Sequence, residues 1–389
     1  MCLNALQGHA ARLPEPAGPS VIFLRRTLRA LGWGLSIVLI AAFLVGYAAP
    51  YLSPTSFWWT DLFAVGVPAL SVLIGPLSLL MCGWGWYHRT RGRLLLGIGL
   101  LVLLLLRFGP RLVAWTASDS EPTALRIMTF NVPRTFAQTN SGTAMARFVR
   151  DEAPGVLAFQ ETQLHTTRHT PVALRRVSPT IQGILDDSIG YELPFLPHST
   201  TLQQPVLGRI PLDSMSVHPL PPDGKQNARS RYTRTTFTWR GRSAVLYNVH
   251  LHSVGEARPW TLLPEEWTSW SRWNTFLRTY REGALRRAQQ ARLLRRRIAR
   301  ESRPVLIVGD FNSTPHQWAY QHLAEGLQSA VLRRVRGWGA TFPAQRPLVQ
   351  IDHILAGPAW QITAAHIPPP TPQSPLSDHR PVVAHLQWK

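Results

Sequence analysis

Asp310 and Asn312 stand two residues apart at the end of P-V-L-I-V-G-D-F-N-S-T-P, Pro304 to Pro315. The residues from Val305 are apolar and mostly β-branched, which suits a strand buried on both faces, and Gly309 ends the pattern. In an extended chain residues two apart point the same way, so this strand end would present a carboxylate and an amide together. Packing rarely needs such a pair. Polar residues recur at other strand-like ends: Asn131, Gln160-Glu161, Asn248 with His250 and His252, Asp352-His353, and Ser377-Asp378-His379. Singly, each fits a satisfied structural residue as well as a functional one. Converging, these carboxylates, amides and imidazoles suit a hard, oxygen-preferring cation such as Mg²⁺ beside an acid/base pair. Cys2 and Cys82 are the chain's cysteines and both lie in its apolar first third, which excludes a disulfide framework or thiolate metal site in the remainder.

The elements that must position these residues alternate in type. Strands are expected at L-R-I-M-T-F-N-V, G-V-L-A-F-Q-E, T-R-T-T-F-T-W, S-A-V-L-Y-N-V-H-L, P-V-L-I-V-G-D, L-V-Q-I-D-H-I-L and P-V-V-A-H-L. Helices are expected over Thr143 to Glu152 and over the arginine-rich piece from Tyr280 to Glu301, whose Leu285, Ala288, Leu293 and Ile298 give a patchy apolar stripe. No internal repeat is evident. One mixed α/β domain over 124–389 is the simplest account.

Ahead of it lie three apolar runs, Gly32 to Tyr51, Leu62 to Trp84 and Arg93 to Phe108. The first two reach the roughly 20 residues that cross a bilayer core, and the third does so if Val113 to Trp115 extend it. The expected organisation is a cytoplasmic segment over 1–31, three transmembrane helices within 32–116, a polar linker over 117–123 and the α/β domain. A cleaved signal peptide fits poorly, because Met1 to Ser20 is too long and polar for an ordinary leading region. Arg25, Arg26 and Arg29 precede the first span, and Arg89, Arg91 and Arg93 fill the second loop, whereas the first loop carries no Arg or Lys. The positive-inside rule then puts the N-terminus in the cytoplasm and the α/β domain on the other side of a bacterial inner membrane. The net charge of +20 is almost all arginine and gives the exposed domain a field suited to phosphate-bearing partners or an anionic membrane surface.

The stretches M-T-F-N-V, A-F-Q-E-T, Y-N-V-H-L, V-G-D-F-N-S-T-P, T-F-P followed by Q-I-D-H-I-L, and S-D-H-R-P-V, in that order, resemble the endonuclease/exonuclease/phosphatase superfamily of DNase I-like phosphoesterases. With three preceding spans the chain looks like a membrane-anchored bacterial branch. The resemblance implies a four-layer α/β sandwich with Mg²⁺ as cofactor and Mn²⁺ as a substitute. It also implies roles. Glu161 would be the principal metal ligand, with Asn131 its neighbour and Asp378 on or near the same ion. Asp310, held by Asn312, would orient and deprotonate the attacking water. His379, fixed by Asp352, would stabilise charge on the phosphoryl oxygens, and His250 would contact the phosphate. The activity implied is phosphodiester hydrolysis, by a nuclease or, alternatively, by a lipid phosphodiesterase of the sphingomyelinase or phospholipase C kind or a small-molecule phosphatase. A non-catalytic binding module is the alternative of another class. Two stretches depart from the family's pattern: Gly155 stands where Asp is common, and V-L-G-R-I-P replaces the usual L-S-R-x-P loop.

Three further features are ambiguous. His252 could reach the site or sit at a strand end, and His353 should point away from Asp352 and serve structure. Trp260, Trp267, Trp270, Trp273 and Phe276 form an aromatic segment expected to pack on the domain's own sheet or, alternatively, to lie at the bilayer surface.

Overall fold

The computed structural model describes residues 19–113, 123–133, 141–162, 164–166, 174–177, 179–186, 190–193, 200–220, 231–254, 268–369 and 376–389. Helices α1 (Pro19–Ala48), α2 (Pro54–Phe57), α3 (Thr60–Tyr87) and α4 (Arg91–Val113) form the first part. Among the described residues three segments are long and apolar enough to cross a membrane: Phe23–Tyr51, Thr60–Tyr87 and Arg91–Arg111. Their outward faces expose Leu31, Ile37, Leu80, Leu105 and Leu106, an apolar area of the kind that marks an interaction or membrane surface. The first helix begins well before Gly32 and takes Arg25, Arg26 and Arg29 into its opening turns, because nothing in V-I-F-L-R-R-T-L-R-A-L breaks a helix. The third continues past Phe108 to Val113. Most of the expected linker falls in 114–122, outside the described residues.

The second part opens with β1 (Leu125–Asn131), α5 (Ser141–Glu152) and β2 (Val156–Gln160). Next come β3 (Leu164–Thr166), β4 (Leu174–Val177), α6 (Pro179–Asp186), β5 (Thr200–Leu202) and β6 (Val206–Gly208). Strands β7 (Leu212–Pro219), β8 (Arg231–Trp239) and β9 (Arg242–His250) lead into the long α7 (Trp270–Ile298). The chain ends with β10 (Val305–Asp310), α8 (Trp318–Ala324), β11 (Gln328–Ser329), α9 (Ala330–Arg334), β12 (Asp352–Ala356), β13 (Trp360–His366) and β14 (Val382–Trp388). One sheet runs β13-β14-β1-β2-β6, a second runs β11-β12-β10-β9-β8-β7, and β4-β3-β5 form a small third.

Strand alternation divides the core as the sandwich requires. On β10, Leu306 and Val308 join Ile127 and Val156 between the two large sheets, while Val305 and Ile307 join Ala291, Leu294 and Ala319 under α7 and α8. On β1, Phe130 points outward to Phe148 of α5, at a ring-centroid distance of 5.9 Å. Helix, sheet, sheet and helix thus stack as the expected four-layer α/β sandwich. The same alternation sends Asp310 to the inter-sheet side with Val308.

The described part of the tryptophan segment does not pack on the domain's own sheet. Trp260 and Trp267 lie outside the described residues, and Trp270 opens α7 with 75 % of its surface exposed. Further along α7, Phe276, Tyr280 and Ala284 pack on Trp58, Leu62 and Val254. This aromatic face therefore covers the end of the helical bundle, not the sheet. The bundle offered a wall of Trp and Leu that the sequence alone did not place.

Gly309 is the residue on which the strand end turns. Its φ is +132°, a value that L side chains avoid, and a Cβ there would stand 1.9 Å from the Val249 carbonyl oxygen on the paired strand. Gly309→Ala is expected to destabilise the protein by about 2–5 kcal/mol, read as a clear fall in Tm of the full chain in detergent. An unchanged Tm would contradict this account of the strand end.

Candidate active site

Register places the polar residues side by side. β10 pairs in parallel with β9 and antiparallel with β12, and these ladders set Asp310 opposite His250 on one side and Asp352 on the other. Cross-strand partners point to the same face, so His250, Asp310 and Asp352 form a row across the second sheet. In the facing sheet β1 and β2 pair Asn131 with Gln160, and Glu161 follows. The chain turns sharply as it leaves these strands: Glu161 has φ +58° and Asn312 has φ +45°. Non-glycine residues in this region carry strain of about 1–3 kcal/mol that the surrounding bonds must hold.

Those bonds converge on Asp310, which is 1 % exposed. Its Oδ1 accepts from the Asn312 backbone N–H at 2.8 Å, and its Oδ2 accepts from Asn131 Nδ2 at 2.9 Å and from Asn312 Nδ2 at 3.3 Å. Asn312 Nδ2 also donates to the Leu251 carbonyl at 3.0 Å, tying the ends of β10 and β9. Asn131 Nδ2 reaches Glu161 Oε1 at 3.1 Å and so bridges two carboxylates from different sheets. His250 Nε2 lies 3.6 Å from Asp310 Oδ2 and 3.7 Å from Glu161 Oε1, beyond hydrogen-bond length, so these groups frame a space without closing it. Burial pushes the Asp310 carboxyl up, and the neighbouring Asp352 adds to this, with His379 and His250 opposing. A carboxylate so placed is a stronger base than one in water.

His379 sits on the other side of Asp310. Its Nδ1 donates to Asp352 Oδ2 at 2.9 Å, which leaves Nε2 directed toward Asp310 Oδ2 at 3.9 Å. Burial alone would lower the His379 pKa, but the charge and hydrogen bond of Asp352, with Asp310 and Asp378 behind them, raise it to about 10. The ring is therefore an imidazolium at neutral pH. Ser377 Oγ accepts from the His379 backbone N–H at 2.9 Å and donates to the Asn131 carbonyl at 2.6 Å, joining this loop to β1. The Phe342 ring packs on the imidazole at 4.8 Å.

A buried amide pair lies beneath. Gln160 Nε2 donates to Asn248 Oδ1 at 2.6 Å across the sheets, and Asn248 Nδ2 donates to the Phe159 carbonyl at 2.9 Å. These two residues stand at recurrent strand-end positions in the sequence. Their part, locking the two sheets behind Glu161 and His250, becomes visible only once the sheets face each other. Ser377 and Thr341, whose hydroxyl accepts from the Asp352 backbone N–H at 3.2 Å, carry no sequence signal beyond lying in the S-D-H and T-F-P stretches.

The residues fit a hard divalent cation. Glu161, His250 and Asp310 bring one potential ligand atom each within 4.8 Å of one another, as do Asp310, Asp352 and His379. Asn131 Oδ1 and Asp378 Oδ1 are buried oxygens without a hydrogen-bond partner among the described residues. Buried oxygens of this kind call for a cation or a donor. Asp378 adjoins His379 but is not a member of either carboxylate–imidazole group. Glu161, Asn131, Asp310, Asn312, His250, Asp352 and His379 are brought together. The backbone of His252 is fixed just beyond His250: its N–H donates to Gln290 Oε1 at 2.9 Å and its carbonyl accepts from Arg287 Nη1 at 3.2 Å.

The endonuclease/exonuclease/phosphatase family model matches residues 128–379. Among solved structures, an endonuclease/exonuclease/phosphatase from Beutenbergia cavernae is 22 % identical, covering 68 % of this chain and 72 % of its own, with a TM-score of 0.47. One from Bacteroides vulgatus is 19 % identical, covering 69 % of this chain and 100 % of its own, at a TM-score of 0.49. The human Nocturnin catalytic domain with bound sulfate is 17 % identical over 70 % of this chain and 97 % of its own, at 0.46. No curated protein matches the chain significantly.

His353 points to the opposite face from Asp352, as the alternation requires, and packs against Phe311 and Tyr320. Its Nε2–H donates to the Ser313 carbonyl at 2.8 Å and its Nδ1 accepts from the Gln350 amide at 3.1 Å, so the neutral ring is fully used. Burial pushes its pKa down to about 4. The folded-state pKa being below the unfolded value near 6.5, this contribution is complete above about pH 6.5 and is lost as pH falls toward 4. Between pH 7 and 5 it amounts to about 2 kcal/mol. In His353→Gln the drop in Tm between those pH values should be smaller than in the parent. An equal drop in both would show that the histidine does not titrate in this way.

Proposed function

The chain belongs to the endonuclease/exonuclease/phosphatase family, and from that premise we propose that it is a membrane-anchored, Mg²⁺-dependent hydrolase of phosphodiester bonds. The observation that carries this reading is the row His250–Asp310–Asp352 with His379 bonded to Asp352. In-line attack on phosphorus needs an oriented water, a group to take its proton and positive charge at the phosphoryl oxygens. Asp310, held rigid by Asn131 and Asn312, takes the water's proton. The His379 imidazolium offers its Nε2–H to a phosphoryl oxygen, with Asp352 fixing the ring, and His250 makes a second contact from the opposite side. Glu161, Asn131 and Asp378 would hold Mg²⁺, or Mn²⁺ in its place. When bound, the ion neutralises non-bridging oxygens and assists the leaving oxygen.

A nuclease is the first substrate reading, supported by the arginine-dominated charge of +20. The lipid-phosphodiesterase reading is supported by one observation: the chain leaving Asn312 packs on the end of the helical bundle, as His316 does on Phe108 at 5.5 Å. The full chain in lipid nanodiscs, offered duplex DNA, RNA, choline and anionic phospholipids and bis(4-nitrophenyl) phosphate with and without Mg²⁺, separates them. Cleavage of nucleic acid that weakens steeply with salt supports the first, and headgroup release the second.

For the bundle we infer a cytoplasmic N-terminus. Arg25, Arg26, Arg29, Arg89, Arg91 and Arg93 lie at one end, and the α/β domain contacts Ser53, Asp61 and Arg111 at the other. An export-dependent reporter fused after Lys389 should be active and a cytoplasmic reporter silent; the reverse would invert the orientation.

Two substitutions test the chemistry. Asp310→Asn and His379→Ala are each expected to lower kcat by about 10²–10⁴-fold with folding retained. Glu161→Gln should raise the Mg²⁺ concentration for half-maximal activity at least about tenfold. Parent-level turnover by Asp310→Asn would overturn the assignment of the base.

A further inference from the structure

The bundle end and the catalytic strands are joined by buried polar contacts that anchoring alone does not require, since the chain is already covalently tethered through 114–122. Asp61, in the first turn of α3, is 1 % exposed. Its Oδ2 accepts from Gln317 Nε2 at 3.4 Å and its backbone carbonyl accepts from the Tyr280 hydroxyl at 3.0 Å; Gln317 Nε2 also reaches that hydroxyl at 3.1 Å. Gln317 Oε1 in turn accepts from the Thr314 backbone N–H at 2.8 Å, which holds the loop leaving Asn312. Arg287, buried near enough for its charge to act on Asp61, donates to the carbonyl of His252, two residues after His250. At the end of α4, Arg111 donates to the Trp338 carbonyl at 3.0 Å and to Gln350 Oε1 at 3.3 Å, and the Gln350 amide meets His353, the neighbour of Asp352.

The contacts thus end within a few residues of His250 at the end of β9, Asn312 in the loop after β10 and Asp352 at the start of β12. Burying a carboxylate and two guanidinium groups is costly unless the partners are held in place. Here the partners belong to the segments that aim the site. We propose that the bundle end is part of the catalytic architecture: Asp61 and Arg111 are positioning residues that fix the loop after β10, which carries Asn312, and the start of β12, which carries Asp352, so that turnover depends on the bundle even for a substrate dissolved in water. The proposal rests on the phosphoesterase reading for its kinetic consequence and on geometry alone for its structural one.

The test uses the full chain in detergent, with bis(4-nitrophenyl) phosphate and Mg²⁺ as probe and amide hydrogen exchange over residues 311–317 as a second readout. Asp61→Asn keeps the shape of the side chain and removes its charge. It is expected to lower kcat about 10–100-fold with little change in KM, because displaced reacting groups cost rate and not affinity. Exchange at 311–317 should accelerate. Adding Gln317→Glu to Asp61→Asn exchanges donor and acceptor between the two side chains, while the Thr314 N–H keeps a carboxylate oxygen to donate to and the Tyr280 hydroxyl, which accepts from Gln317 in the parent, turns to donate to that carboxylate. This double variant should recover most of kcat, which a merely structural lesion would not allow. If Asp61→Asn does not accumulate folded, Tyr280→Phe, which loses one hydroxyl, decides in the same direction. Parent-like kcat together with parent-like exchange in these variants would overturn the proposal, as would failure of the double variant to recover. A parent inactive on every phosphoester would sink the phosphoesterase reading, while the exchange measurement would still decide whether Asp61 holds the loop.

Discussion

A carboxylate shut away from water must be met by donors and positive charge, and Asp310 is the point where that requirement shapes the domain. Its donors come from Asn312 two residues on and Asn131 in the facing sheet, and the His379 imidazolium before β14 supplies opposing charge, with His250 of β9 beside it. No single element can supply them. The sandwich brings two sheets together with their strand exits at one end, and the strand registers set which side chains look inward there. A slip of one residue on β10 would turn Asp310 toward α7 and bring Gly309, with no side chain, into the row. The positive φ angles at Gly309, Asn312 and Glu161 are concentrated at this end, and the strain at the two non-glycine positions is held there by dense hydrogen bonding.

What the sequence made legible follows from the same physics. Period-two alternation separated Asp352 from His353, because a strand allows each side chain only two directions, whereas β10 ends at Asp310 and the pair with Asn312, expected from an extended chain, is made instead by the left-handed turn at Asn312. The alternation located the strands that carry the site for the same reason. The edge strands β6, β7 and β13 escaped, being short or patchily apolar, and so did the amide pair Gln160–Asn248, whose meaning depends on which sheets face each other. Asp378 could be placed beside His379 by sequence but not within the carboxylate row. The tryptophan segment shows the limit most clearly. A helix with an aromatic face announces that something covers it, and here the cover is the end of a bundle far earlier in the chain, which no local pattern encodes.

That contact changes how the molecule is understood as an enzyme. A tethered domain could be expected to behave as a free one on a string. Instead Phe276 and Tyr280 lie against Trp58 and Leu62, and Asp61 and Arg111 enter the hydrogen bonding behind the strand exits. The apolar helices and the polar cluster are joined by these contacts, which place the cluster beside the bundle end that carries Asp61.

The account stands most directly on Asp310 acting as a base toward water and not as a nucleophile toward phosphorus. Hydrolysis of bis(4-nitrophenyl) phosphate in ¹⁸O-labelled water, under single-turnover conditions with the full chain and Mg²⁺, distinguishes the two by mass spectrometry of the products and of the peptide containing Asp310 in rapidly quenched samples. Label in the phosphoryl product of the first turnover, with neither label nor a phosphoryl group on the peptide at any quench time, is the predicted result. A phosphorylated Asp310 peptide, or an unlabelled first-turnover product with ¹⁸O appearing in the Asp310 carboxylate, would contradict it.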